Sequence, residues 1–110
     1  MLQNLYYLIS ILDLSFNRMR TIKSGAFRGL LSLRTLKLRS LGLQHVEAHG
    51  LDDFVALVEL DLSDNQLSMP NTFAKLIKAL PALKSLQLSG NDLRNVSTRH
   101  SLGPMTHLQG

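Results

Sequence analysis

The sequence predicts a solenoid of the α/β class, in which one short structural unit recurs along the chain and stacks on its neighbours. Three observations predict this fold. Leucines recur at gaps of three, two and five residues, as in LVELDLSDNQL at 57–67. The same spacing starts at Ile9, Leu33, Leu57 and Leu83, at intervals of 24, 24 and 26 residues. An apolar triplet with gaps of three then closes every unit. Neither an amphipathic helix nor an alternating strand explains all three patterns.

The intervals divide the whole chain, residues 1–110, into a single array of repeats. Residues 1–8 resemble the tail of a preceding unit, and 108–110 the start of a further, truncated one. Four complete repeats are expected between them, at 9–32, 33–56, 57–82 and 83–107. We therefore expect a partial chain of a longer array, whose uncapped ends expose apolar surface and allow self-association.

Each repeat is predicted to contain one short strand followed by a turn and a return segment. Leu60 and Leu62 are two residues apart, so both point inward from the same strand. Stacking then aligns the strands into a parallel sheet on the concave face, with irregular, 3₁₀ or short helical returns on the convex face. In the third repeat, residues 71–80 predict a helix, with Asn71 as N-cap and Pro81 after its end.

An asparagine follows the strand in three of the four repeats. Asn17, Asn65 and Asn91 each carry a side-chain donor and acceptor, so we expect them to bond the turns of adjacent units in a structural ladder. The second repeat has Leu41 at this position. This position gains apolar contact but loses the amide bonds, so we expect a local distortion there, with altered hydrogen bonding.

The spacing L-x-x-L-x-L-x-x-N-x-L resembles the leucine-rich repeat pattern. Phe27 and the apolar residues Ile22, Val46 and Val96 make the units similar to the 24-residue subclass found in Toll-like receptors, small proteoglycans and chaoptin-type adhesion proteins. The resemblance implies a right-handed superhelix from a longer extracellular or cell-surface receptor or adhesion protein. It also implies a non-enzymatic scaffold that binds a protein ligand, co-receptor or glycoconjugate through its concave face. The alternatives are a cytoplasmic adaptor and a structural spacer.

Strand residues between the leucines supply the candidate ligand-binding site, because they face solvent on the concave side. The second strand is positive and the third negative, and one column across the strands carries Asp13, Lys37, Asp61 and Gln87. The alternative is a set of surface ion pairs without a recognition role. The candidate ligand-binding residues are Phe16, Arg34, Lys37, Arg39, Glu59, Asp61, Asp64 and Lys84, and the same alternation places Ser63 at the surface.

The charge distribution argues against a nucleic-acid partner. The net charge is +4, but the basic strand lies beside an acidic one and no aromatic side chains interleave for base stacking. The longest apolar run near the N-terminus, residues 5–12, is far shorter than a membrane span of about 20 residues. We expect no direct membrane insertion by this segment.

Few residues indicate a modification, metal-binding or catalytic site. The tripeptide NVS makes Asn95 a glycosylation candidate, provided that the protein is secreted. The sequence contains no cysteine, and no carboxylate or cysteine completes a metal site around His45 and His49. Asp52 and Asp53 are expected to be solvated. We expect no catalytic residue, cofactor or metal.

Overall fold

The computed structural model of the chain describes residues 8–67 and 78–91. The predicted helix at 71–80 and Asn95 therefore lie largely or wholly outside the described residues. Within the described ranges the backbone forms short strands joined by turns. The strands are β1 (Ile11–Asp13), β2 (Thr21–Ile22), β3 (Thr35–Lys37), β4 (His45–Val46), β5 (Glu59–Asp61) and β6 (Ser85–Gln87).

Four of these strands form one parallel sheet in the order β1-β3-β5-β6. The central leucine of each strand pairs with that of the next, so Leu12, Leu36, Leu60 and Leu86 form a single column across the sheet. A parallel sheet in chain order, with one strand from each repeat, is the arrangement of a solenoid. The predicted fold class is confirmed.

The core lies between the sheet and the return segments. Leu36 and Leu60 are buried behind the sheet, and Leu57 is buried where the return ends. The rings of Phe27 and Phe54, in neighbouring repeats, pack with centroids 5.3 Å apart. Because each layer of side chains touches the layers from adjacent units, the core extends along the stack and does not form within one unit.

The returns are built from tight turns. In the first return the N–H of Ala26 donates to the C=O of Lys23, and the N–H of Arg28 to the C=O of Gly25, at 3.0 and 3.2 Å. Bonds between residues three apart are typical of 3₁₀ turns.

A second, two-stranded parallel sheet joins β2 to β4, with Ile22 opposite Val46. From the sequence, these two residues were expected only to be apolar positions of the repeat. The β-branched side chains of Thr21, Ile22 and Val46 were the available signal for strand structure. This small sheet fixes the flank of the solenoid between the first and second units.

The turn after the strand has the same backbone form in all four units. Phe16, Ser40, Asp64 and Gly90 each lie seven residues after the start of their repeat, and each is left-handed, with φ of 63°, 57°, 56° and 75°. A left-handed residue at this position of each unit reverses the chain at the edge of the sheet.

Asn65 joins the second unit to the third through buried hydrogen bonds. Its Oδ1 accepts from the backbone N–H groups of Leu41 and Leu43, at 2.9 and 3.1 Å. Its Nδ2 donates to the carbonyl oxygens of Leu38 and Leu62, at 2.8 and 2.9 Å. These bonds satisfy polar groups that the turn leaves inside the protein.

Asn91 makes similar bonds between the third unit and the fourth. Its Oδ1 accepts from the N–H of Leu67, and its Nδ2 donates to the carbonyls of Leu62 and Leu88. Asn17 is exposed and donates within its own unit, to the carbonyls of Leu14 and Ser15.

The hydrogen bonding changes at Leu41, as expected. The N–H of Met19 donates to the backbone carbonyl of Leu41 at 2.9 Å, whereas the equivalent N–H of Leu43 donates to the side chain of Asn65. Gly42 adopts a left-handed φ of 70°. The backbone thus supplies the acceptor that an asparagine would provide, and the buried leucine contributes apolar contact.

Two expectations about exposure are wrong. Ser63 is buried, with 2% of its surface exposed, and its Oγ accepts a hydrogen bond from Ser89 Oγ of the next unit at 3.4 Å. Asp53 is partly buried and its Oδ2 accepts from the N–H of Gly29 at 2.7 Å, which joins adjacent returns. Asp52 is exposed and contacts His49, with 2.7 Å between Oδ2 and Nδ1. An outward position in a repeat is therefore not always a solvated one.

Candidate functional site

The strand pairing forms the charged column expected on the concave face. Asp13 pairs with Lys37, Lys37 with Asp61, and Asp61 with Gln87 in the register of the parallel sheet. Adjacent strands lie about 4.8 Å apart, so carboxylates flank the single ammonium group of this row. The face presents both signs of charge within a small area.

One ion pair joins the basic second strand to the acidic third. Arg39 Nε lies 2.9 Å from Asp64 Oδ2, and the two side chains are 49% and 46% exposed. Water screens a pair this exposed, so it contributes about 0–1 kcal/mol to stability. The pair holds its two side chains in place more than it stabilises the fold.

An open depression of about 290 Å³ occupies the centre of the concave face. Four of the predicted ligand-binding residues line it: Lys37, Arg39, Glu59 and Asp61. The depression is also lined by Thr35, Ser85 and Gln87, which were not among the predicted ligand-binding residues. Their positions on the strands could have identified them from the sequence. The complete lining is Thr35, Leu36, Lys37, Arg39, Glu59, Leu60, Asp61, Ser85 and Gln87.

The other predicted residues lie outside this depression. Asp64 contacts Arg39. Arg34 and Lys84 are exposed at the starts of their strands, and Phe16 is exposed in the turn after β1. The structure therefore gathers half of the predicted residues into one depression and distributes the rest around it.

Two carboxylates in the column are held by local backbone. Asp13 Oδ1 accepts from the N–H of Ser15, and Asp61 Oδ1 from the N–H of Ser63, both at 2.9 Å. The side-chain and backbone hydrogen bonds of Ser15, with a smaller contribution from the charge of Lys37, hold the pKa of Asp13 below its usual 3.8. Asp13 is thus kept ionised and oriented.

Phe16 is the most unusual residue near this face. Phe16 has 76% of its surface exposed, and Ile11, in the strand β1 that leads into this turn, has 66% exposed. A left-handed backbone is unfavourable for a bulky aromatic residue, and such strain costs about 1–3 kcal/mol. The same left-handed φ recurs at this position in every unit, so the exposure of the Phe16 side chain, and not its backbone, is the observation relevant to binding.

The described residues place no group of three or more histidine, cysteine, aspartate or glutamate side chains where they could hold a metal ion. Over the same ranges, 8–67 and 78–91, no helix has the length and apolar character needed to cross a bilayer.

The chain belongs to the leucine-rich repeat family. The family model, described as leucine rich repeat, matches residues 8–67, a segment that contains β1 to β5 and most of the concave depression. The parallel sheet, the repeated turn and this match together establish the family.

The chain is similar to several secreted or cell-surface leucine-rich repeat proteins. It is 38% identical over 81 residues to vasorin of Xenopus tropicalis, covering 74% of this chain and 11% of vasorin. It is 39% identical over 83 residues to tsukushi of Mus musculus, covering 74% and 23%. It is 31% identical over 98 residues to Toll-like receptor 10 of Bos taurus, covering 89% and 12%. The chain thus spans less than a quarter of these relatives.

Proposed function

We propose that this chain is part of the recognition surface of a secreted or cell-surface protein and binds a protein or glycoconjugate ligand through its concave face. The observation that carries the proposal is that Lys37 and Glu59 line the central depression without forming an ion pair to any described residue. If the charged strands served only to neutralise each other, Lys37 would pair with Asp13 or Asp61. Instead its charge is available to a ligand.

The exposed apolar side chains extend this surface. Aromatic residues often carry much of the energy at the centre of a protein interface, and Phe16 is the exposed aromatic of the first unit. Lys37 and Glu59 would provide charge complementarity, which selects the partner and orients it. The proposed ligand therefore has an apolar group for Phe16 and groups of both charges for the depression.

The relatives support a role outside the cell. Vasorin, tsukushi and opticin are extracellular, non-enzymatic leucine-rich repeat proteins, and Toll-like receptor 10 is named as a receptor. We propose the same setting for this chain, as one segment of a receptor or adhesion protein. Glycosylation of Asn95 and the division into repeats at 9–32, 33–56, 57–82 and 83–107 are further parts of the proposal.

A pair of charge-balanced variants tests the proposal. The chain is displayed as a multimer and applied to an array of cell-surface and secreted ectodomains. The variant Lys37→Ala with Glu59→Ala removes one charge of each sign from the depression. Its control, Lys23→Ala with Asp52→Ala, removes one of each sign from the convex side, where both side chains are exposed.

The concave variant is expected to lose binding to the ectodomains captured by the wild type, while the convex control keeps it. Thermal unfolding of both variants checks that the fold is intact. If the concave variant binds every captured ectodomain as the wild type does, the depression is not the ligand site and the segment is a spacer.

A further inference from the structure

A second depression lies on the flank of the solenoid, where the strands of the first three units end. Its volume is about 330 Å³. It was not among the sites expected from the sequence. Its lining consists of Asn17, Arg18, Arg20, Ser40, Leu41, Gly42, Gln44 and Gln66.

The absence of a side chain at Gly42 creates this depression. Arg18, Gly42 and Gln66 are 24 residues apart and lie in one column across three units. A Cβ placed on Gly42 would meet nothing within 4 Å, so the middle of the column is empty space. In the sequence, this feature could have been recognised as a glycine at the repeat position that carries Arg18 in the preceding unit and Gln66 in the following one.

Gly42 also leaves a backbone donor at this place. In the third unit the N–H of Gln66 donates to the carbonyl of Leu43 at 2.9 Å. The equivalent N–H of Gly42 bonds to no residue in the described parts of the chain, and the left-handed φ of 70° at Gly42 distinguishes the two turns. Backbone N–H groups exposed in turns commonly bind anions.

The charges around the depression are of one sign. Arg18 and Arg20 are exposed and pair with no carboxylate among residues 8–67 and 78–91, and no acidic residue lines the depression. One wall is an amide pair, in which Gln44 Nε2 donates to Gln66 Oε1 at 2.8 Å. Guanidinium groups bind planar or tetrahedral oxyanions through two parallel hydrogen bonds.

We infer that this depression binds an acidic saccharide, with the carboxylate or sulfate group between Arg18, Arg20 and the N–H of Gly42. The amides of Gln44 and Gln66 and the nearby Asn17 and Ser40 supply donors and acceptors for sugar hydroxyls. Leu41 is buried, with 2% of its surface exposed, and none of the aromatic side chains that the structure describes lines the depression. The site therefore lacks the apolar pocket that would anchor a peptide side chain and the stacking surface that would hold a base. This site is separate from the concave face.

Direct binding measurements on the full chain test the inference. The probes are a heparin-derived hexasaccharide, which carries sulfate, a hyaluronan hexasaccharide, which carries only carboxylate, and neutral maltohexaose. Binding is measured by calorimetry at low ionic strength, because salt screens exposed charges. At least one acidic probe is expected to bind and the neutral one is not; the stronger acidic probe identifies the preferred anion. If neither acidic probe binds, or maltohexaose binds equally well, the inference is wrong.

Two sets of variants locate the binding. Arg18→Gln with Arg20→Gln is expected to weaken binding by about tenfold or more, because it removes the charge-assisted hydrogen bonds. Gly42→Asn is expected to weaken it about fivefold by filling the gap with a residue that tolerates left-handed φ. The control, Lys23→Gln with Arg28→Gln, removes the same charge from exposed positions in the first return.

The control is expected to change the affinity by less than about twofold, because Lys23 and Arg28 do not line the depression and make no charge-assisted hydrogen bond to the bound anion. If the control weakens binding as much as the arginine variant does, the attraction is general and the depression is not a site. Unchanged binding by Gly42→Asn would contradict the inference equally. The arginine variant gives an independent result should Gly42→Asn fail to fold.

Discussion

Replacing Asn65 with alanine tests how the polar turns stabilise the stack. Asn65 is 95% buried, and its side chain contacts both its own unit and the preceding one. Truncation leaves the N–H groups of Leu41 and Leu43 and the carbonyl of Leu38 without their bonds to the side chain. The carbonyl of Leu62 keeps its bond from Asn91 Nδ2 at 2.8 Å.

Three buried polar groups thus lose their partner. An unsatisfied buried group costs about 1–3 kcal/mol, and the lower part of that range applies because the shorter side chain leaves room for water. We expect Asn65→Ala to lower the free energy of unfolding by about 3–5 kcal/mol, a large fraction of the stability of a small domain.

Asn17→Ala is the matched control. Asn17 occupies the same repeat position but is exposed, and its bonds to Leu14 and Ser15 lie at the surface. Water can replace them, so we expect a loss below about 1 kcal/mol. Urea unfolding followed by circular dichroism, with linear extrapolation to water, measures both variants. Losses that agree within about 1 kcal/mol would refute the reasoning that buried cross-unit bonds determine the difference.

Further predictions concern the backbone and one carboxylate. Gly90→Ala is expected to destabilise the chain by about 2–3 kcal/mol and Gly42→Ala by about 1 kcal/mol. Both glycines are left-handed, but only at Gly90 does an added Cβ crowd Asp64. Equal losses of unfolding free energy in urea would contradict this. Phe16→Gly should stabilise the fold by about 1 kcal/mol, as relief of strain exceeds the entropy cost of glycine, while weakening ligand capture on the ectodomain array; a clear loss of stability would argue against strain at Phe16. Because its folded pKa is depressed, Asp13 stabilises the protein above its unfolded pKa and loses that contribution as pH falls through the folded value. The stability difference between wild type and Asp13→Asn should therefore shrink below about pH 3.8, and a difference constant from neutral to acid pH would contradict it.

Much of the concave face could be predicted because a solenoid converts sequence spacing directly into spatial neighbours. Equivalent positions in successive repeats pair in a parallel sheet. The sequence alone therefore placed four side chains in one row: Asp13, Lys37, Asp61 and Gln87. The alternation of side chains along a strand then decided which of them face away from the core.

The local departures from the repeat could not be predicted in the same way. The repeat period shows that position 42 is equivalent to Arg18 and Gln66. It does not predict the φ that Gly42 adopts or that the N–H of Gly42 lacks the bond made by the N–H of Gln66. The burial of Ser63 depends on the turns that cover it, and the role of Asp53 depends on the N–H of Gly29 in the preceding return.

The sequence alone determined that aliphatic side chains at regular intervals are buried only when successive units stack, and this requirement specified the solenoid, its parallel sheet and the charged row. The tertiary structure decided which charges pair: Arg39 pairs with Asp64, whereas Lys37 forms no ion pair with any residue in the described ranges. It also determined the position of the flank depression, at Gly42. The physical reason is that periodic burial of apolar side chains is encoded along one chain, whereas hydrogen bonds and ion pairs depend on geometry between units that only the assembled stack provides.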